Sequence, residues 1–122
     1  MRISTGIDLI EIERIAESID RHGERFLTRI FTPQERETCA GRVESLAARF
    51  AAKEAVAKAL SSGIDGFGFL EIEITRQPNG APGLVLHGAA AERAKQQGLK
   101  HWSISLSHNQ SHATAIAIGY AE

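Results

Sequence analysis

The sequence predicts an α+β fold in which helices pack on a largely antiparallel sheet. Residues 46–60 consist of strong helix formers with no glycine or proline, which predicts one long helix. Residues 70–76 alternate strictly between apolar and polar side chains, as a half-buried strand does. Residues 101–108 and 112–120 flank a polar loop and predict a terminal hairpin. Strands and helices of this kind form a single two-layer domain.

The N-terminal segment predicts a strand followed by a helix. Asp8 is expected at the end of this strand, and Gly6 allows another backbone or a ligand to approach closely. From Glu11 the apolar spacing becomes helical, and Gly23 is suited to the position after a helix. The apolar residues of the strand are Ile3, Ile7, Leu9 and Ile10.

The middle of the chain predicts two more helices. Thr32-Pro33-Gln34-Glu35 combines an N-cap threonine, a proline at the first helical position and the glutamate of a capping box, so a short helix is expected from Pro33 to about Ala40. The long helix, Leu46–Leu60, is expected to end at Ser61-Ser62-Gly63.

The C-terminal half predicts strands separated by one helix. Pro78-Asn79-Gly80 is typical of a turn between strands, and Gly98 is suited to closing a helix. The expected elements are a strand at Leu70–Arg76, a strand at Gly83–His87, a helix at Ala89–Gln97, a strand at His101–His108 and a strand at His112–Tyr120.

Length and composition indicate one soluble domain spanning residues 1–122. Apolar residues make up 43% of the chain and charged residues 24%, which is typical of a globular protein. The formal net charge of −1 provides no general attraction to nucleic acid or to anionic lipid. Cys39 is the only cysteine and is expected to be a packed thiol. Because neither a secretory signal nor an 18-residue apolar run is found, we expect a cytoplasmic protein.

Four charged residues lie on or beside the apolar side of the long helix. Arg49 and Lys53 fall on that side, and Glu54 and Lys58 are one turn apart on its flank. One interpretation is that the first two extend into water and the last two form a surface ion pair. The other is an anion-binding cleft with a metal. The apolar residues of this side are Leu46, Phe50, Val56, Ala57 and Leu60.

Asp8 and Glu54 are a candidate pair of metal ligands. Mg²⁺ is commonly held by one or two carboxylates together with water and substrate phosphate oxygens, so a sparse pair fits an enzyme that acts on phosphate. Zinc is disfavoured, because the histidines include no His-x-x-x-His pair on a helix.

Four motifs resemble the holo-[acyl-carrier-protein] synthases, the short class of 4′-phosphopantetheinyl transferases. The resemblance covers nearly the whole chain in order and implies the fold of that family. The motifs are Gly6-Ile7-Asp8-Leu9-Ile10-Glu11-Ile12, Arg49-Phe50-Ala51-Ala52-Lys53-Glu54-Ala55 with Lys58, Asn79-Gly80-x-Pro82, and Ser105-Leu106-Ser107-His108.

The resemblance implies transfer of 4′-phosphopantetheine from coenzyme A to a serine of apo-acyl carrier protein, with release of adenosine 3′,5′-bisphosphate. Asp8 and Glu54 would bind Mg²⁺ and Lys58 would clamp the phosphate, and these three are the candidate catalytic residues. Lys53 is either a further charge of the site or a structural partner. The proton of the serine would pass to Glu54, to water on the metal or to another carboxylate.

The resemblance also implies binding residues. Arg49, Lys58, Pro82, Ser107 and His108 would contact coenzyme A, while an acidic carrier protein would dock on Arg14, Arg21, Arg25 and an exposed Phe26. The family forms homotrimers with active sites between subunits. Many members have Gly-Thr-Gly at 61–63 and a lysine at Ala81, so altered affinity for coenzyme A is expected. The alternative function is an inactive carrier-binding module of the same fold.

Overall fold

The computed structural model describes residues 1–60 and 68–122. Within these ranges, strands and helices are joined by short connections, and a 3₁₀ turn at Phe69–Glu71 precedes the second strand. In chain order the elements are β1 (Arg2–Glu11), α1 (Ile12–His22), α2 (Glu24–Ile30), α3 (Pro33–Cys39), α4 (Val43–Ala59), β2 (Ile72–Arg76), β3 (Pro82–Leu86), α5 (Gly88–Gln96), β4 (His101–His108) and β5 (His112–Ala121).

The strands form two antiparallel sheets. The larger sheet has the order β1-β5-β4, with β5 in the centre, and β2 pairs with β3 in a separate hairpin. In the larger sheet Asp8 is opposite Ala115, and Ala115 is opposite Leu106 on the next strand. Asp8 therefore belongs to an edge strand, three residues before that strand ends rather than at its end as expected.

Helix α4 is the centre of the molecule and is buried on almost every side. It packs on β1, β5, β4 and β2, and on the other side contacts α1 and α3. The prediction of a single buried face is therefore wrong, because small alanine side chains allow neighbours to approach α4 from several directions. Its buried alanines are Ala47, Ala48, Ala51, Ala52, Ala55, Ala57 and Ala59.

Strand β1 lies directly against the backbone of α4. Gly6 is buried against the carbonyl group of Ala55, and the hydroxyl of Ser4 donates a hydrogen bond to the carbonyl oxygen of Ala59. The close approach expected at Gly6 is therefore confirmed, and the neighbouring backbone is that of the long helix.

Most elements lie close to their predicted bounds. The capping box is confirmed, since Glu35 N donates to Thr32 Oγ1 at 3.1 Å and Thr32 N donates to Glu35 Oε1 at 2.8 Å. Helix α2 was not predicted, and the predicted strand at Leu70 begins two residues later because residues 69–71 form the 3₁₀ turn. The expected helix end at 61–63 lies outside the described residues.

One face of the larger sheet is left exposed by residues 1–60 and 68–122. The side chains of Ile3, Ile7 and Leu9 are 59%, 62% and 66% exposed, and Ile116, opposite Ile7, is 38% exposed. In the described part of the chain, none of the helices has the length and apolar character needed to cross a membrane.

Candidate active site

Asp8 and Lys58 meet where β1 packs on α4. The ammonium of Lys58 donates to the Oδ1 of Asp8 at 3.1 Å and to the main-chain carbonyl of Ile7 at 2.9 Å. The side chains are 20% and 52% exposed, so the pair lies at the surface with its charges open to solvent. The fold therefore brings the carboxylate of Asp8 and the ammonium of Lys58 together, although they are 50 residues apart in the sequence.

Glu54 lies on the same side of α4 as Lys58, one turn nearer the N-terminus of the helix. Strand β1 runs antiparallel to α4, so Ser4 lies by Ala59 and Gly6 by Ala55. Two residues of a strand span about 6.7 Å, which is close to the length of one helical turn, so every second residue of β1 lies beside the next turn of α4. The same step places Asp8 alongside the turn of α4 that contains the partly exposed Glu54.

The main chain around Asp8 is held from the neighbouring strand. The hydroxyl of Thr114 on β5 donates to the carbonyl oxygen of Asp8 at 2.7 Å, in addition to the ladder between the two strands. Sequence reasoning missed Thr114 and Ser4, because their partners are main-chain atoms that only the strand register and the helix packing identify.

Lys53 points to the interior, away from the surface at which Lys58 lies. Its side chain is fully buried and its ammonium forms an ion pair with Glu35 Oε1 at 2.8 Å. Burial lowers the pKa of Lys53 below its usual range, and the Glu35 carboxylate opposes this shift. The geometry therefore supports a structural role for Lys53. The interpretation in which its ammonium group extends into water is wrong.

Arg49 is also largely buried. It is 9% exposed, and its Nη1 donates weakly to the carbonyl of Ser45 at 3.4 Å. Its Nε finds no hydrogen-bond partner among residues 1–60 and 68–122. Cys39 is close to the guanidinium and is buried as predicted, and burial raises the pKa of its thiol while Arg49 opposes the shift.

The other predicted coenzyme A residues lie on different elements. Pro82 begins β3 and lines a cleft of about 620 Å³ that Lys100 and His101 also line. Ser107 and His108 lie at the end of β4, two strand spacings or roughly 10 Å from β1. Within one chain the structure therefore does not bring these three residues into contact with the Asp8–Lys58 pair.

The predicted partner residues share one surface formed by α1 and α2. Arg14, Arg21 and Arg25 are exposed. Phe26, which was expected to be exposed, is half-buried because its ring packs edge-on against Phe31, with 6.2 Å between the ring centroids. The arginines lie among exposed carboxylates of the same helices, with Glu17 beside Arg14 and Arg21, so the surface is mixed in charge, and the aromatic ring is set into it rather than protruding.

The site offers two carboxylates and a cation rather than a closed metal cage. Across residues 1–60 and 68–122, no group of three or more His, Cys, Asp or Glu side chains is arranged to hold a metal ion. A partly exposed carboxylate pair fits a hard cation that takes its other ligands from water and phosphate. Such a site is suited to holding an anionic substrate.

Comparison with known proteins identifies the family. The model of the 4′-phosphopantetheinyl transferase superfamily matches residues 4–117. The chain belongs to the 4′-phosphopantetheinyl transferase superfamily. The resemblance found in the sequence motifs is therefore confirmed.

Relatives within the superfamily match this chain over almost their whole length. The holo-[acyl-carrier-protein] synthase of Herpetosiphon aurantiacus is 48% identical, with 94% of this chain and 96% of that protein covered. The protein of the same name from Koribacter versatilis is 46% identical, with 97% and 98% covered.

Solved transferase structures share the fold. The Helicobacter pylori holo-[acyl-carrier-protein] synthase in complex with coenzyme A is 34% identical with a TM-score of 0.87, and 95% of this chain and 99% of that chain are covered. The enzyme from Neisseria meningitidis gives a TM-score of 0.88 at 34% identity, with 97% and 98% covered. The predicted α+β fold is thereby confirmed.

Proposed function

We propose that this chain transfers 4′-phosphopantetheine from coenzyme A to a serine hydroxyl of apo-acyl carrier protein. Membership of the superfamily and the relatives named holo-[acyl-carrier-protein] synthase support this activity. The observation that carries it is the contact of Asp8 with Lys58, 3.1 Å apart at a solvent-accessible junction of β1 and α4. A carboxylate and an ammonium held in this way suit a pyrophosphate substrate.

The reaction is a phosphoryl transfer. The serine hydroxyl gives its proton to a base, its oxygen forms a bond to the β-phosphorus of coenzyme A, the bond from that phosphorus to the bridging oxygen breaks, and adenosine 3′,5′-bisphosphate leaves. Negative charge grows on the bridging oxygen, so a cation placed there lowers the barrier. Lys58 is suited to this role because its ammonium is already fixed by Asp8 and the carbonyl of Ile7.

Asp8 and Glu54 are the proposed ligands of Mg²⁺. Their oxygen donors match the preference of this ion, and their small number leaves coordination positions for water and the pyrophosphate. Thr114 and Gly6 contribute indirectly, since they fix the main chain that carries Asp8.

Arg49, Pro82, Ser107 and His108 are the proposed contacts for the rest of coenzyme A. The nearly buried guanidinium of Arg49 has a donor, Nε, with no partner in the described ranges. Guanidinium groups bind phosphate strongly, and the 9% of Arg49 that is exposed is where such a contact would form. Pro82, Ser107 and His108 make no recorded contact with Lys58, although Ser107 and His108 line a pocket with Leu9, and a second subunit offers a way to bring such residues to the site.

A homotrimer is therefore part of the proposal. Its interface would be the exposed face of the larger sheet, where Ile3, Ile7 and Leu9 lie beside Ile116. A row of aliphatic side chains more than half exposed on β1 is typical of a surface that another subunit covers. The Ile7→Asp variant should keep the monomer fold, and sedimentation should show it shifted toward the monomer.

The arginine-bearing surface of α1 and α2 is the proposed docking site for the acidic carrier protein. Arg14, Arg21 and Arg25 provide positive charge, and the half-buried Phe26 provides an apolar contact among them. Charge complementarity of this kind directs the encounter and the orientation of two proteins.

One experiment tests the activity. The protein is mixed with apo-carrier protein, coenzyme A and Mg²⁺, and the mass of the carrier is measured. A gain of one phosphopantetheine group supports the transferase. A carrier that binds but gains no mass would indicate an inactive binding module, and full activity of Glu54→Gln would exclude the metal role of that residue.

A further inference from the structure

Lys53 has a complete set of hydrogen-bond acceptors in the interior. Besides Glu35, its ammonium donates to the carbonyl oxygens of Phe69 at 2.9 Å and of Ile72 at 2.8 Å. An ammonium has three N–H groups, so each has one acceptor. Lys53 therefore joins α4 to the 3₁₀ turn and to the start of β2.

Glu35 extends the same network to α3, its own helix, and adds a second hydrogen bond to β2. Its Oε1 also accepts a hydrogen bond from Thr32 N at 2.8 Å, and its Oε2 accepts one from Ile74 N at 2.7 Å. The residue is 1% exposed. Because removal of one partner from a buried ion pair leaves an unpaired charge, the network is expected to hold its members in one arrangement.

The network acts on the helix that carries the candidate active site. Lys53 precedes Glu54 in the chain and points inward, while Glu54 and Lys58 lie toward β1. A rotation of α4 by about 20° would move a group about 6 Å from the helix axis by about 2 Å. Displacements of about 1 Å are enough to reduce catalysis by roughly two orders of magnitude.

We propose that Lys53 is a positioning residue, whose buried ion pair with Glu35 holds α4 in the rotation that directs Glu54 and Lys58 toward Asp8. The inference rests on the proposed transferase function. Folding alone gives a weaker reason for the pair, because buried ion pairs can often be replaced by apolar residues of similar volume without loss of stability.

The test uses two variants of the full chain and one control. Lys53→Met combined with Glu35→Gln removes both charges at nearly constant volume. Glu35→Asp keeps both charges but withdraws the carboxylate by about one bond length. Leu99→Ala is the control, because Leu99 is 4% exposed in the core and is not among the residues whose hydrogen bonds and ion pair form the network.

The measurements are thermal unfolding, kcat and KM for coenzyme A in the mass assay, and calorimetric titration with coenzyme A with and without Mg²⁺. We expect both network variants to remain folded, with kcat lowered at least tenfold and KM changed less than threefold. The gain in coenzyme A affinity produced by Mg²⁺ should also shrink. Leu99→Ala should unfold at a lower temperature and keep its kcat within about twofold.

Each other outcome counts against the proposal. Wild-type kcat and Mg²⁺ dependence in the folded variants would show that the pair does not position the site. Failure of both network variants to fold would assign the pair to folding alone. An inactive wild-type protein would refute the transferase function itself, which is a result distinct from either of these.

Discussion

Gly6 and the carbonyl group of Ala55 lie so close that a β-carbon at position 6 would stand 1.8 Å from the carbonyl oxygen. The obstacle is the backbone of α4, which cannot move aside as a side chain can. This contact fixes the distance between β1 and α4. It therefore also fixes how near Asp8 comes to Lys58.

Gly6→Ala should destabilise the protein and abolish its activity. The added methyl group must separate β1 from α4, and we expect a loss of about 3 kcal/mol or more in the free energy of unfolding. Chemical denaturation and the carrier mass assay measure the two effects. The matched control is Gly68→Ala, whose β-carbon would meet Glu71 Oε2 at an ordinary 3.5 Å. An equal loss in the control would contradict the explanation.

Local patterns allowed good prediction where the interacting residues are close in sequence. The capping box needs only Thr32 and Glu35, three residues apart, and both of its hydrogen bonds are present. A run of helix formers without glycine or proline likewise identified the helix that carries Glu54, and apolar residues identified the strand that carries Asp8. The bounds of α1 and α3 followed from the same kind of local signal.

Long-range partners were not predictable in the same way. Nothing near Lys53 in the sequence indicates that Glu35, Phe69 and Ile72 would surround its ammonium. Likewise the burial of Phe26 depends on its packing against Phe31 across the end of α2. Helical periodicity places a residue on a side of its own helix, but it does not say which neighbours cover that side.

Lys58→Met should separate catalysis from stability. The Lys58 side chain is 52% exposed and that of its partner Asp8 is 20% exposed, so loss of this solvent-accessible ion pair should change the free energy of unfolding by less than about 1 kcal/mol. Loss of a cation beside the transferring phosphate should lower kcat by roughly 100-fold. The mass assay measures kcat, and thermal unfolding measures the change in stability. Lys95→Met, on the exposed side of α5, should change neither, and a variant at Lys58 with normal kcat would remove this residue from the site.

Glu73 should contribute stability that disappears in acid. The hydroxyl of Thr32 donates to its Oε2 at 2.7 Å, and His87 lies 3.1 Å from its Oε1. The Thr32 hydrogen bond and, after it, His87 hold the pKa of Glu73 below its usual range, against the effect of burial. This stabilisation is therefore complete above the unfolded pKa of about 4.3 and is lost as the pH falls through the folded value.

The measurement for Glu73 is the urea midpoint between about pH 6 and about pH 3. The wild-type protein should lose more stability below about pH 4.3 than Glu73→Gln does. Glu92→Gln, at an exposed position of α5, should follow the wild-type curve. Parallel curves for the wild-type protein and Glu73→Gln would mean that the hydrogen bond from Thr32 does not stabilise the folded carboxylate.

Arg14→Glu should impair recognition of the carrier protein without affecting coenzyme A. Arg14 is exposed on α1 with Arg21, and reversal of its charge introduces repulsion toward an acidic partner. We expect KM for the carrier protein to rise roughly tenfold at low ionic strength, and less at high salt because exposed charges are screened. KM for coenzyme A should stay within about twofold. Lys95→Glu, with the same charge change on α5, serves as control. If the Arg14 variant lost carrier and coenzyme A binding equally, the arginine-bearing surface of α1 and α2 would not be the docking site.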